Sequence, residues 1–337
     1  MSYRTLLLSI RFAFLALLMG GLAAPTASGQ SKSKKSPQQR SFVLSYGFKV
    51  KDLPQDAKLQ VWFPVPSSDR WQTVSEDPEQ WKKWGISISK DDAYGNRIGY
   101  IEKAAPKTFS QMIQYQVIRK EATQEVAKTK LTDKMREAFL KKNSLVPIDG
   151  RPVELLGTQK LPSDPIRLAR KLYDIVLAHM KYDKSIKGYG EGDVMRACEV
   201  GAGNCTDFHS LFISLARHKR LPARFEIGFP LPEKSADGKT QNGKIKGYHC
   251  WAWFWSPQHG WVGVDISEAD KDPSKTEYFF GNLTEDRIAF STGRDIKLVP
   301  NSKSGPLNYF VYPHVEVDGK VWPKEKIELD VRFQDAK

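Results

Sequence analysis

The chain has 337 residues, 40% of them hydrophobic and 27% charged, enough apolar material for one large folded domain or two modest ones. Its formal charge of +13 is spread over lysines interleaved with acids, with no basic helix face and no nucleic-acid motif. That excludes a nucleic-acid binder and leaves a solvated basic surface with, at most, weak attraction to an anionic envelope.

Arg4 and Arg11 flank the start of an apolar run, Phe12 to Met19, and small residues follow at Ala27-Ser28-Gly29. The pattern predicts a secretory signal peptide over residues 1–29 and an exported protein, periplasmic or secreted. The competing reading is an uncleaved anchor, for which the run is short against the ~20 residues a span needs. No other stretch has the length and apolarity of an integral membrane span. Residues 30–40 are polar and basic and predict a disordered linker.

Residues 41–120 predict a small β-sandwich domain. Phe42, Leu44, Tyr46, Phe48 and Val50 keep the two-residue strand period, and short runs at 59–63, 98–101 and 109–118 are punctuated by Pro64, Pro66 and Gly95-Asn96. Trp71, Trp81 and Trp84 fall between strands as packing residues. Residues 121–162 predict a connector with one short helix over 132–142, then Pro147, Gly150, Pro152 and Pro162. A second domain is expected over 163–337. Ser163-Asp164-Pro165 starts a helix that holds its period to Met180. A further helix begins at Cys205, with Phe208, Leu211, Phe212, Leu215 and Ala216 as one apolar stripe, and ends by Pro222. Strands follow at 225–229, 248–255, 260–266, 309–317 and 327–333. Pro257 to Gly260 makes the second and third of these a hairpin, and no internal repeat is present.

Three cysteines in an exported chain leave at least one thiol over. Cys205 is the reactive candidate. It follows Gly201-Ala-Gly-Asn204 and opens a helix, where the dipole and unpaired N–H groups favour thiolate and can hold an oxyanion. His249 lies on a strand whose alternation puts Trp251 and Trp253 on its face and Cys250 on the other. If the His249 face meets the helix, imidazole and thiol can touch. Asp265, returned by the hairpin, can sit beside His249 and fix its tautomer. Taken singly, a cysteine at a helix start or a histidine in an aromatic strand is more often structural; the ordered combination of all four features points to nucleophilic catalysis. His209, one turn past Cys205, is either a packed hydrogen-bond donor or a rival base, and the packed role is preferred because it rides on the nucleophile's own helix. Cys198 and Cys250 are expected to be structural. A disulfide between them is open to an exported chain, whereas a zinc site lacks the repeated close-spaced ligand pairs.

The segments Gly203-Asn-Cys205-Thr-Asp-Phe, Leu221-Pro-Ala-Arg224 with Gly228, Tyr248-His249-Cys-Trp251 and Pro257-Gln-His-Gly260-Trp-Val-Gly-Val-Asp265 resemble the transglutaminase-like superfamily of papain-related cysteine enzymes. Tyr278 to Leu283 and the N-terminal β-region are similar to bacterial exported members. Ile266-Ser267 departs from the Pro and hydroxyl residue that often follow the family's aspartate. The resemblance implies an α+β fold, a cysteine-bearing helix on an antiparallel sheet, with Cys205 as nucleophile, His249 as base and Asp265 as its orienter. It implies thiol-dependent acyl transfer on amide bonds of a peptide or protein substrate. Hydrolysis by a protease or amidase is the favoured form. Transamidation to an amine, or a non-catalytic peptide-binding module, are the alternatives. No cofactor and no metal are expected; calcium serves some branches, but no EF-hand-like acidic loop occurs. The lysine- and glycine-rich stretch from Leu231 to Gly247 is either a gate over the cleft or a passive insertion.

Overall fold

The computed structural model describes residues 37–127, 130–235, 237 and 239–336. The expected signal peptide lies outside those residues, as does the linker up to residue 36. Among the described residues no helix is long and apolar enough to cross a membrane. The end of the expected linker is structured: Gln39–Val50 is one strand. Arg40 is buried because it pairs with Asp335 at 2.8 Å and Asp286 at 2.6 Å.

Alternation builds the N-terminal region. In Phe109–Lys120 every second residue from Phe109 to Arg119 is buried and its neighbour exposed. This strand and Gln39–Val50 pair antiparallel over twelve residues. They are the middle of a five-stranded sheet ordered 242–245, 327–335, 39–50, 109–120, 72–75. A second five-stranded sheet runs 320–321, 314–317, 58–65, 97–104, 87–90. Phe48 of the first meets Phe63 of the second with rings 5.6 Å apart, so the two share a core. Trp81 and Trp84 sit on a short helix, Pro78–Trp84, rather than in a loop. Trp81 packs on the core and Trp84 is exposed.

The sequence reading assigns 163–337 to one domain, and here the strand pairing differs. His314–Val317 pairs with Lys58–Val65, and Ile327–Asp335 pairs with Gln39–Val50. The end of the chain therefore completes the N-terminal sheets. The expected strand 309–317 begins only at His314. Within the stretch 231–247, Asn242–Ile245 is a strand on Ile327–Asp335. The connector does not divide two cores, since one buried cluster runs from Phe42 through Phe63 to Phe208 and Phe254.

A four-stranded antiparallel sheet carries the site, in the order 260–264, 249–256, 223–230, 287–292. Its fourth strand, Arg287–Thr292, is not marked by the sequence pattern. Helix Cys205–His218 packs on one face. The expected stripe faces the sheet, with Phe212 against Phe254. The helix is nonetheless buried on every side, from Cys205 to Arg217. Its polar residues find partners instead of water: Ser210 receives Arg294, and Arg217 donates to Ala223 and Lys141 carbonyls. Helix Pro165–His179 lies alongside, capped by Asp164 as the sequence predicts.

Phe333 is almost fully buried at the C-terminal strand. Phe333→Ala is expected to cost about 3–5 kcal/mol in urea unfolding. Because the core is continuous, exposure of the Cys205 thiol should follow the same transition. Two separated transitions would refute the shared core.

Candidate active site

The nucleophile helix starts where it does because its cap is closed on both sides. Asn204 Oδ1 accepts the Thr206 N–H at 2.8 Å, and Asp207 Oδ2 accepts the Asn204 N–H at 2.9 Å. Asp207 also receives the Gly190 and Gly192 N–H groups, at 2.8 and 3.1 Å. Gly203 must be glycine for this: a Cβ there would stand 2.3 Å from Asp207 Oδ2. Asp207 and Phe208 give their N–H groups to the Asn204 carbonyl. Among the described residues no acceptor meets the Cys205 N–H. One backbone donor beside the thiol is thus left free.

His249 and Asp265 are in contact, Nε2 to Oδ2 at 2.7 Å, with His249 7% exposed at its side chain and Asp265 fully buried. With Nε2 committed to the carboxylate, Nδ1 is the ring nitrogen left for the Cys205 thiol, which interacts with the imidazole. Burial alone would raise the thiol, but hydrogen bonding to Cys250 and His249 and the imidazolium charge bring it well below its ordinary value. Burial would likewise lower the imidazole, yet the Asp265 carboxylate and then the Cys205 thiolate push it up to about 10. The Asp265 carboxyl lies far below the usual range: His249 and Arg287 outweigh its burial. All three shifts favour the charged forms, thiolate and imidazolium with a carboxylate behind them.

The route by which these groups meet differs from the alternation argument. The helix packs on the Cys250 face, not the His249 face. Cys250 Sγ lies 3.7 Å from both Thr206 Oγ1 and His209 Nδ1. Trp251 and Trp253 take the other face because both indole N–H groups need the buried Glu226 carboxylate, at 2.6 and 2.9 Å. His249 is the first residue of its strand and reaches the thiol from that end. Gly228, its cross-strand partner, has no room for a Cβ, which would sit 1.9 Å from the Ile288 carbonyl oxygen. All three cysteines are free thiols, so Cys198 and Cys250 do not form a disulfide; Cys198 sits near the Arg151 carbonyl.

His209 is packed, the role the sequence prefers, and its Nε2 serves the site's backbone as an acceptor. Its Nε2 takes the Ile266 N–H at 3.0 Å, and burial holds its pKa down to about 4, so it is neutral. With Nε2 unprotonated, it has no N–H to give Asp265, whose Oδ1 is 3.6 Å from that nitrogen, and so does not pair with the carboxylate as His249 does.

Sequence reasoning missed Arg287. Its Nη1 donates to Asp265 Oδ2 at 2.9 Å, and its guanidinium lies over the Trp251 ring at 4.8 Å. It stands 22 residues past Asp265 at the head of an unpatterned strand, so no spacing signal marks it. His249, Asp265 and Glu268 bring ligand atoms within 4.8 Å of one another, close enough for a cation. The Arg287 charge on the same carboxylate opposes one there.

Two measurements follow from this geometry. Cys205 is expected to react with iodoacetamide at pH 6, where a thiol of ordinary pKa is only about 0.3% ionised. Because its pKa is lowered and that of His249 raised, the rate should stay flat between the two and change only as His249 deprotonates near pH 10. His249→Ala removes the cation and should slow labelling at pH 6 at least tenfold. A rate climbing tenfold per pH unit up to ~8.5 would show an unperturbed thiol. Arg287→Met leaves Asp265 with one cation fewer and is expected to destabilise the fold by about 3–5 kcal/mol in urea, as loss of one member of a buried pair does. A cost under 1 kcal/mol would mean that the guanidinium is not needed to hold the charge.

Comparison with known proteins agrees with this arrangement. Residues 156–266 match the family model of the transglutaminase-like superfamily, a span that contains Cys205, His249 and Asp265. An uncharacterized protein of Haemophilus influenzae is 26% identical over 319 aligned positions, covering 82% of this chain and 85% of its own. A candidate cysteine protease of Cytophaga hutchinsonii has a similar fold, with a TM-score of 0.52 at 14% identity, over 89% of this chain and 98% of its own. The periplasmic domain of TgpA from Pseudomonas aeruginosa aligns over 71% of this chain and 90% of its own, at 14% identity and a TM-score of 0.39. Residues 156–266, which carry the cysteine helix and much of the antiparallel sheet it packs on, match the transglutaminase-like superfamily.

Proposed function

We propose that this protein is an exported thiol hydrolase that cleaves an amide bond in a peptide or protein. The observation that carries the reading is the buried Cys205–His249–Asp265 contact beside an unused Cys205 N–H. A structural cysteine needs neither a raised imidazole nor a carboxylate behind it.

The steps follow from the positions. The Cys205 thiolate adds to the amide carbonyl carbon, and the C=O pair moves to oxygen. The Cys205 N–H donates to that oxyanion, pre-aligned by the helix cap. The adduct collapses with cleavage of the C–N bond as imidazolium His249 gives its proton to the leaving amine. The thioester remains on Cys205. Neutral His249 then takes a proton from water, the hydroxide adds to the thioester, and thiolate leaves with the acid product. Asp265 keeps Nε2 protonated throughout and stabilises the imidazolium whenever it forms.

Water as acceptor is preferred to an amine for an exported protein at ordinary amine concentrations. The assay that separates the outcomes measures free amine and free acid released from peptide amides, with and without an added primary amine. Cys205→Ala should abolish turnover, and His249→Ala should lower kcat by about 10²–10⁴-fold. Exclusive incorporation of the added amine would replace hydrolysis with transamidation. Peptide binding with no product of either kind would make the protein a binding module.

A further inference from the structure

The segment 307–329 lies outside the span matched by the family model, and it builds a cavity next to the site. The cavity is about 380 Å³, with Leu307, Tyr309, Tyr312, Pro313, Ile327 and Leu329 as its apolar walls. Its size falls in the range of ligand pockets, which are mostly apolar with few polar groups.

The cavity is tied to the nucleophile through Tyr248, the residue before His249. The Tyr248 ring packs on Tyr309 at 5.7 Å and edge-on against Tyr312 at 5.9 Å. Its hydroxyl meets Asn204 Nδ2 and Thr206 Oγ1, each at 3.0 Å, on the two sides of Cys205. Burial, and then the Cys205 charge, push the Tyr312 phenol up to about 12. Tyr312 is nevertheless 40% exposed, so it borders open space.

The lining also says which chemistry fits. Glu191 and Lys324 stand at the cavity as one acid and one base, and their charges offset. Asn308 is spent: Arg294 Nε donates to its Oδ1 at 2.7 Å, and its Nδ2 donates to the Glu191 carbonyl at 2.8 Å. His314 is engaged with Glu316 at 3.2 Å. These groups leave no net charge and no free amide to reward a charged side chain, while four aliphatic residues and two tyrosine rings reward burial.

We propose that this cavity is the specificity subsite of the Cys205 site and takes a bulky apolar side chain, aromatic or branched aliphatic, of a peptide whose attacked amide lies over Cys205. The assignment rests on the thiol-hydrolase reading for what happens at the amide, but the binding itself does not need turnover.

The test uses the full chain carrying Cys205→Ala, with fluorescent peptide amides that differ at one position flanking the amide: Phe, Leu, Gly, Lys or Glu. The Phe and Leu peptides should bind at least tenfold more tightly than the Gly peptide, with Lys and Glu no better than Gly. Tyr312→Ala, at an exposed position, should erase that preference, and Leu329→Arg, which fills the cavity, should erase it too. Urea midpoints of both variants report whether the fold survives; if Leu329→Arg unfolds, Tyr312→Ala alone decides. Equal binding of Phe and Gly peptides, or a preference that survives Tyr312→Ala, overturns the subsite. Selective binding to Cys205→Ala together with no turnover by the unmodified chain would sink the hydrolase and keep the subsite. Turnover with no preference for apolar residues would do the reverse.

Discussion

Asp265 has no solvent to stabilise its charge, and the site is arranged around that fact. A carboxylate stripped of water stays ionised only among cations and donors. His249 and Arg287 supply the cations, from two strands that are not neighbours in sequence. The Ser267 hydroxyl and the Glu268 N–H supply donors from the helix that begins at Ile266, so the same carboxylate caps that helix. The nucleophile helix joins through His209, which holds the Ile266 N–H. Shifting any one of these elements would leave a buried charge or a buried N–H unpaired. The position of the His249 ring, and hence the state of the thiol, follows from balancing one negative charge.

The N-terminal sheets do more than precede this site. The side chain of Gln72 donates to the Ala289 carbonyl at 3.0 Å and accepts the Ala289 N–H at 2.9 Å, completing the outer strand of the site sheet. Trp71 stacks on Trp253 with centroids 6.4 Å apart, and Arg119 approaches the Trp251 ring at 6.0 Å. Ala122 and Leu283 exchange both backbone bonds. The face of the site sheet opposite the nucleophile helix is therefore roofed by the first third of the chain. That roof keeps water from Glu226, Arg287 and Asp265, where a lower effective dielectric strengthens each pair.

What the sequence makes legible is local. Strand alternation from Phe42 to Val50, the Asp164 cap and the short helix after Thr132 all lie in short windows, and the structure has them where expected. What it hides is long-range pairing. The period of residues 327–333 predicts a strand but cannot say that its neighbour is Gln39–Val50, nearly the whole chain away. Arg40 looks like part of a basic linker until Asp335 is brought beside it. The polar residues of the nucleophile helix suggest a wet face, yet distant loops satisfy them. Alternation rightly separates Cys250 from His249, but it does not say which face a helix will cover. The two tryptophans decide that, because Glu226 lies on their side.

The cap of the nucleophile helix links these threads. Each N–H of its first turn but one is absorbed: Thr206 by the Asn204 side chain, Asp207 and Phe208 by the Asn204 carbonyl. The remaining donor belongs to Cys205 itself, so the positive end of the helix and its one free N–H both lie at the thiol. Asn204 is in turn held by Asp207 on one side and by the Tyr248 hydroxyl on the other. Tyr248 packs on the two tyrosines that wall the apolar cavity. Any displacement of those two rings is therefore felt at Asn204 through the Tyr248 ring and hydroxyl. The cavity wall and the Cys205 cap are mechanically joined through three aromatic rings and one asparagine.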